Sequence, residues 1–128
     1  MKGPAMPKKL KDLSKTEWFL MQICWKLGKV PARNIYDIAI KKKNWQYQTA
    51  KTILDRLVKH KGYLRRERLG PIWLYEPVVS RTQAVNNAVK DFCDLVLDNE
   101  YEPIIRHFQQ KRRVSKASYQ KILKLAKV

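Results

Sequence analysis

Amides, hydroxyls and cations recur together along the stretch NWQYQTAKTILDRLVKHKG, residues 44–62. Apolar residues at spacings of three, four and seven predict an α-helix with one buried side. They are Ala50, Ile53, Leu54, Leu57 and Val58. The opposite side is expected to expose Gln48, Thr49, Lys51, Thr52, Asp55, Arg56 and Lys59. These polar side chains can form hydrogen bonds along a polymer, or they can be an ordinary solvated helix face.

The net charge of the chain favours an anionic polymer as its binding partner. Its 128 residues include 28 Lys and Arg against 11 Asp and Glu, a net charge of +17. Self-repulsion of that size is tolerated most easily when a polyanion neutralises it, so nucleic acid is the leading partner and an anionic membrane surface the weaker one. Residues 1–79 carry 18 of the basic and 6 of the acidic side chains. We therefore expect the polyanion to bind this part of the chain.

Several other classes of protein are not expected. No apolar run approaches the roughly 18 residues of a spanning helix, and the first residues lack the apolar centre of a secretion signal, so we expect a cytoplasmic protein without membrane insertion. Cys24 and Cys93 are far apart and form no CxxC pair, which indicates free thiols and no metal site. The glycine-rich phosphate loop, the HExxH motif and the nucleophile elbow are missing. The sequence thus predicts a non-enzyme with no catalytic residues and no cofactor.

Three helices are predicted before residue 63. The first begins at a capping box formed by Ser14 and Glu17 and ends at Gly28. Pro31 opens a short second helix, and residues 44–62 form the third. Two helices joined by a few polar residues, with the second longer and amphipathic, predict a helix-turn-helix.

A β-hairpin is predicted after the third helix. The period changes to two after Gly62, and Leu69-Gly70-Pro71 can form the turn. The hairpin carries three arginines, which are Arg65, Arg66 and Arg68. A helix-turn-helix followed by a basic hairpin is typical of a winged helix. We expect this domain over residues 12–79, preceded by a flexible basic arm at 1–11.

Residues 80–128 are predicted to form a helical dimerisation region. Ser80 and Gln83 form another capping box, and three helical segments with apolar stripes follow. So many stripes cannot all be buried in one chain of this length, so we expect a homodimer. The expected interface residues are Val85, Val89, Phe92, Val96, Ile104, Ile105, Phe108, Tyr119, Ile122 and Leu123. The predicted fold class is therefore mostly α with a small β-hairpin wing: a winged helix-turn-helix domain followed by a helical dimerisation region.

The order of these landmarks resembles the penicillinase-repressor family of winged-helix transcriptional repressors. The similar segments are LSKTEWFLMQICWKLGK, Trp45 followed by TAKTILDRL, then KGYL and YEPVVSR. The resemblance implies a dimeric repressor of palindromic operators. It also implies that the third helix is the recognition helix, with Tyr47, Gln48, Thr49, Lys51, Thr52 and Arg56 at its DNA-facing positions.

The resemblance is incomplete in the tail. β-Lactam-responsive members of the family are inactivated by cleavage at an Asn-Phe bond, whereas the corresponding pair here is His107-Phe108. The phenylalanine matches the pattern for cleavage by a regulatory membrane protease, and the histidine departs from it. Copper-responsive members carry CxC pairs near the C-terminus, and this chain has none after Cys93.

Each predicted contact has its own chemistry. Gln48 is expected to form two hydrogen bonds with adenine, and Lys51 or Arg56 to donate to guanine. Thr49 or Thr52 is expected to contact a thymine methyl group. Phosphates are expected to be bound by the Tyr47 hydroxyl, by the hairpin arginines Arg65, Arg66 and Arg68, and by the turn lysines Lys41, Lys42 and Lys43. Trp45 is expected to pack beneath the turn. The alternative is a sequence-indifferent nucleic-acid binder, architectural or RNA-associated, for which the charge alone would suffice.

Overall fold

The computed structural model describes residues 10–111. The chain divides into two compact units, the first ending at Val85 and the second beginning at Asn86. Most of the predicted arm and the third tail segment, with Tyr119, Ile122 and Leu123, lie outside the described residues.

The first unit is built on three helices, α1 (Lys15–Leu27), α2 (Ala32–Ala39) and α3 (Tyr47–Arg56). The capping box at the start of α1 is confirmed, because the Glu17 amide donates to Ser14 Oγ at 3.2 Å and the Ser14 amide donates to Glu17 Oε1 at 2.7 Å. A π-helical turn, Leu57–Lys61, prolongs α3. Gly62 then ends the helix in the left-handed region, with φ 74° and ψ 23°, which glycine adopts without a Cβ clash.

A three-stranded antiparallel sheet completes the first unit. Its order is β1 (Val30–Pro31), β3 (Ile72–Pro77), β2 (Leu64–Leu69), and the turn between β2 and β3 is Gly70-Pro71. Gly70 has a φ of 60°, which suits the first position of a two-residue hairpin turn. The predicted hairpin is therefore present, and we call it the wing. Strand β1 was not predicted, because two residues ending in a proline show no alternation.

The core of the first unit lies between the three helices and one face of the sheet. Its fully buried side chains include Leu20, Met21, Ile35, Leu54, Leu57, Tyr63 and Tyr75. Two described residues of the predicted arm, Leu10 and Lys11, contact this unit. Leu10 is buried in this core, and Lys11 accepts a 2.7 Å hydrogen bond from the Tyr63 hydroxyl through its backbone oxygen.

The tail is helical as predicted. Helix α4 (Arg81–Asp91) continues through a π-helical turn, Phe92–Val96, and α5 spans Glu102–Lys111. Ser80 and Gln83 form the predicted capping box, with both hydrogen bonds at 3.0 Å.

Candidate nucleic-acid interface

Helix α3 has one packed side and one open side. Ala50, Ile53, Leu54 and Leu57 are buried, as their spacing predicted. Gln48, Thr49, Thr52 and Arg56 are exposed on the other side. The helix is therefore held firmly by its apolar stripe while it presents amide, hydroxyl and guanidinium groups outward.

These four exposed residues line one open groove of about 450 Å³. The other lining residues are Thr16 from α1, Gln46 just before α3, and Ile53. Gln48 Nε2 is 3.4 Å from Thr52 Oγ1, a long hydrogen bond that leaves most of the donor and acceptor capacity of both side chains open. The sequence predicted these four α3 residues, but it gave no signal for Thr16, which comes from a distant part of the chain.

Lys51 and Asp55 lie on a different flank of α3, the one that meets the wing. Asp55 was expected on the exposed side, but the structure half-buries it against the sheet. Its Oδ1 accepts hydrogen bonds from the Tyr75 hydroxyl at 2.6 Å and from Arg66 at 3.2 Å. Its Oδ2 accepts a third from Lys51 Nζ at 3.3 Å. Lys51 is thus bound to the protein and separated from the groove residues.

The protonation equilibria of this cluster are shifted. Desolvation acts to lower the pKa of Lys51, but hydrogen bonding and charge interactions with Tyr75 and Asp55 outweigh it and raise that pKa above its ordinary value. Burial, reinforced by the hydrogen bond to Asp55, raises the pKa of the Tyr75 hydroxyl. At neutral pH the cluster therefore contains a charged lysine and a neutral tyrosine.

Arg56 is connected to the start of α1. Its Nη1 is 3.9 Å from Glu17 Oε2, and Lys61 Nζ is 3.6 Å from Glu17 Oε1. Glu17 is buried, whereas about half of the Arg56 side chain is exposed. The buried carboxylate therefore joins the cap of α1 to the C-terminal end of α3, while the guanidinium still borders the groove.

The three wing arginines differ in how tightly the protein holds them. Arg65 is well exposed and pairs with Glu76 at 2.5 Å across the hairpin. Arg66 is mostly covered, since it pairs with Asp55 and its guanidinium lies 4.7 Å from the centre of the Trp73 ring. Arg68 lies 5.4 Å from the same ring and donates to the backbone oxygen of Gly70 at 3.0 Å. Trp73 therefore holds two cations along one face of the wing.

Lys41, Lys42 and Lys43 occupy the turn after α2, and all three are exposed. Lys43 Nζ lies 5.4 Å from the centre of the Phe19 ring. The turn keeps a compact backbone, because the amides of Lys42 and Lys43 both donate to the oxygen of Ala39. Three cations therefore project from one tight turn that leads to α3.

An aromatic cluster borders the start of α3. Trp45 packs edge-on against Phe19 with ring centres 5.5 Å apart, which confirms its expected packing role. Tyr36 donates to the Trp45 backbone oxygen at 2.8 Å and meets Tyr47 edge to face at 5.5 Å. Arg33, which the sequence did not single out, lies 4.1 Å from the centre of the Tyr47 ring. A lone arginine in a short helix carries no sequence signal for such an arrangement.

The second unit exposes an apolar patch. Val89, Phe92 and Val96 of the predicted interface are exposed, and Leu95, which was not predicted, has 74% of its surface exposed. Ile104, Ile105 and Phe108 are half-buried on α5, and Val85 is half-buried at the end of the first unit. The spacing of Leu95 from Phe92 was a signal that would have found it.

His107 and Phe108 are both in helix α5, with ring centres 6.0 Å apart. Residues 10–111 contain no group of His, Cys, Asp or Glu side chains that could hold a metal ion. In that same part of the chain, no helix has the length and apolar character needed to cross a bilayer. Cys24 and Cys93 are free thiols, and burial raises the pKa of Cys24 to about 12.

Three helices with a basic wing, and an exposed polar groove on the third helix, define the class of the first unit as a winged-helix domain of the DNA-binding type. The chain belongs to the penicillinase repressor family, since the profile of that family matches residues 13–127.

Individual proteins are similar to more than half of this chain. The chain is 27% identical over 110 residues to the methicillin resistance regulatory protein MecI of Staphylococcus aureus, covering 86% of this chain and 89% of MecI. An uncharacterised 16.5 kDa protein of Latilactobacillus sakei is 36% identical over 89 residues, which are 70% of this chain and 60% of that protein. The solution structure of the DNA-binding domain of the repressor BlaI superposes with a TM-score of 0.53 at 27% identity, covering 60% of this chain and 93% of the domain.

Proposed function

We propose that this protein is a dimeric, sequence-specific transcriptional repressor that inserts α3 into the major groove of a palindromic operator. The observation that carries this proposal is the open groove side of α3, where Gln48, Thr49, Thr52 and Arg56 stand exposed on a helix whose other side is buried. Membership of the penicillinase repressor family and the likeness to the BlaI DNA-binding domain support it.

The dimensions of the helix suit the groove. With its side chains an α-helix is about 10–12 Å across, and the major groove is about 12 Å wide. Gln48 can form two hydrogen bonds with adenine, Arg56 can donate to guanine, and the methyl groups of the threonines can contact thymine. Each good bidentate pair supplies about 1–3 kcal/mol of discrimination against a wrong base.

Phosphate contacts would fix the register of the helix. The wing arginines and the lysine turn stand on either side of α3 in the chain, and hydrogen bonds to phosphate and sugar make up half or more of those in protein–DNA interfaces. Arg65, Arg68 and the three turn lysines are all exposed. Arg66 and Lys51 are assigned a smaller part in phosphate binding, since both already pair with Asp55.

Dimerisation would make a palindrome readable. One winged helix touches few base pairs, whereas two related by a twofold axis can contact half-sites about 34–36 Å apart. The apolar patch at Val89, Phe92, Leu95 and Val96 supplies a surface of the kind that a second copy would cover. A dimer bound over a promoter in the cytoplasm represses by excluding polymerase, which requires no catalysis and no cofactor.

The regulated genes and the mode of release are separate questions. MecI is named for methicillin resistance, and a 22% identical relative from Bacillus licheniformis is named penicillinase repressor. The family resemblance supports release by a membrane protease that cleaves at His107-Phe108. Because that bond lies within α5, the helix would have to unwind locally before an extended protease cleft could bind it.

A competition titration tests the proposal against the second candidate, a sequence-indifferent binder favoured by the net charge of +17. Binding to duplexes selected from genomic fragments and to random duplex is measured at several salt concentrations. Affinity for both should fall with salt, with a slope of about −0.9 per phosphate neutralised. A repressor keeps a preference of roughly 10³ or more for the selected site, whereas a preference near one would leave only the indifferent binder.

A further inference from the structure

Arg33 is held differently from the other arginines of residues 10–111. Arg56, Arg65, Arg66, Arg68, Arg81 and Arg106 each contact a carboxylate, an amide oxygen or a backbone oxygen of the protein. Within that range Arg33 has no such acceptor, and its contacts are the rings of Tyr47 at 4.1 Å and Tyr36 at 5.5 Å. Its guanidinium is thus placed by stacking, while its hydrogen-bond donors have no partner in the described protein.

The aromatic support under Arg33 is itself fixed. Tyr36 is tied by its hydroxyl to the backbone of Trp45, and Trp45 packs on Phe19 of α1. Tyr47, the first residue of α3, closes the cluster through its edge-to-face contact with Tyr36. The exposed Arg33 side chain is therefore attached to the N-terminal end of the recognition helix.

The position of Arg33 in its own helix is locally unfavourable. It is the second residue of α2, where the helix dipole favours anions over cations. A residue that breaks a local rule without an intramolecular ion pair to compensate is the pattern expected at a functional position. An anion from outside the protein would satisfy the guanidinium.

We propose that Arg33 binds a backbone phosphate of duplex DNA, with the Tyr47 ring serving as the platform that presents its guanidinium. This inference rests on the proposed function and adds a contact to it. The start of a recognition helix lies against the DNA, and a planar guanidinium can donate two parallel hydrogen bonds to one phosphate. Stacking orders the side chain before binding, so that less rotational freedom is lost in the complex.

The role of Tyr47 differs accordingly from the one its hydroxyl suggests. If the ring is the platform, Tyr47→Leu should lose clearly more affinity for DNA than Tyr47→Phe, which keeps the ring. A Tyr47→Phe variant as weak as Tyr47→Leu would contradict the platform and assign the phosphate contact to the hydroxyl.

The main experiment measures the binding of full-length Arg33→Ala and Arg33→Lys to random duplex across a salt series, with thermal unfolding of each variant. Arg33→Ala should bind about tenfold more weakly near 0.1 M salt, with a log–log salt slope shallower by about 0.9. Arg33→Lys should keep the slope and bind with intermediate affinity, because it retains the charge without the planar fork. Lys26→Ala, which removes one exposed charge from α1, serves as the charge-matched control and should leave the slope nearly unchanged.

Ethylation interference on a selected site gives a second test. The wild type should show one phosphate per half-site whose ethylation blocks binding, and Arg33→Ala should lose that sensitivity. An unchanged slope and footprint with a lowered melting temperature would overturn the inference and leave Arg33 as a packing residue. If Arg33→Ala fails to fold, Arg33→Gln, which also removes the charge, replaces it in both measurements with the same expected results. Wild-type protein that binds no duplex even at low salt would overturn the proposed function as well.

Discussion

The hydroxyl of Tyr75, on strand β3 of the wing, donates a hydrogen bond of 2.6 Å to Asp55 on helix α3. Tyr75 is only 1% exposed, and Asp55 also accepts hydrogen bonds from Arg66 and Lys51. Asp55 thus receives donors from both the wing and its own helix. The position of the wing against α3 is therefore fixed by polar contacts as well as by the core.

Removal of the Tyr75 hydroxyl tests this connection. Tyr75→Phe should lower the free energy of unfolding by about 1–2 kcal/mol, because Asp55 loses its shortest partner while the ring still fills the core. Denaturant titration would measure the loss, and Tyr101→Phe, whose hydroxyl bonds the nearby Asn99 side chain on the surface, is the control. A double-mutant cycle with Asp55→Asn should show coupling, and strictly additive losses would mean that the two residues do not act together.

Arg65 and Arg66 form a matched pair for separating DNA contact from wing stability. Arg65→Ala should weaken binding to selected and random duplex alike and flatten the salt slope, while the melting temperature stays close to that of the wild type, since exposed ion pairs contribute little. Arg66→Ala should also weaken both kinds of binding. It should in addition cost about 1–2 kcal/mol of stability, because it leaves half-buried Asp55 with fewer donors.

Binding and unfolding measurements on the two variants give the comparison. Loss of stability in Arg65→Ala, or full stability in Arg66→Ala, would reverse the assignment made from their exposures. A loss of binding confined to the selected site would contradict a phosphate-binding role for either arginine.

Local signals were sufficient to predict most of the fold. Both capping boxes are confirmed, because a cap depends on residues three apart and on little else. Gly62 ends α3 as expected for the same reason. Strand β1 escaped prediction because it exists only through pairing with β3, where Val30 lies opposite Tyr75. Nothing within the two residues of β1 encodes that partner.

In the candidate site, too, local signals predicted some features and missed those that depend on a distant part of the chain. Helical period correctly placed Gln48, Thr49, Thr52 and Arg56 on the open side of α3. It failed for Asp55, because the wing folds back over that flank and supplies Tyr75 and Arg66 as partners. The helical period of the apolar residues describes one helix alone. It cannot show which part of the exposed side another element covers.

Gln48 is the sharpest test of base recognition. Gln48→Ala should relax the preference at one base pair of each half-site, with a loss of about 1–3 kcal/mol of discrimination there, because its amide is exposed at the start of α3. Selection from randomised duplexes would measure the preference at each position. Lys59→Ala is the control, since residue 59 lies roughly 16 Å further along the helix axis. An unchanged profile for Gln48→Ala would remove Gln48 from the base contacts.

Cys24 should be chemically inert in the folded protein. Burial raises the pKa of its thiol from 9.0 to about 12, so the reactive thiolate at pH 8 is about a thousandfold scarcer than in an unfolded chain. A Cys93→Ser variant should therefore react with a thiol reagent only after denaturation. Because the folded pKa lies above the unfolded one, this thiol stabilises the fold below pH 9, and that contribution should disappear as the pH rises towards 12. Rapid labelling of the native variant at pH 8 would contradict the burial of Cys24.

The apolar patch of the second unit predicts the oligomeric state. Phe92→Asp and Leu95→Asp should each yield monomers in sedimentation velocity, because a charge at a covered apolar contact has no partner and must be desolvated. Ile40→Asp, at a similarly exposed apolar residue after α2, is the control and should stay dimeric. Since two linked half-sites bind far more tightly than one, the monomeric variants should lose the preference for a palindrome while they retain weak, salt-sensitive binding to random duplex. Variants that remain dimeric would show that other residues form the dimer interface. A monomeric wild type would contradict the proposed binding of two half-sites by a dimer.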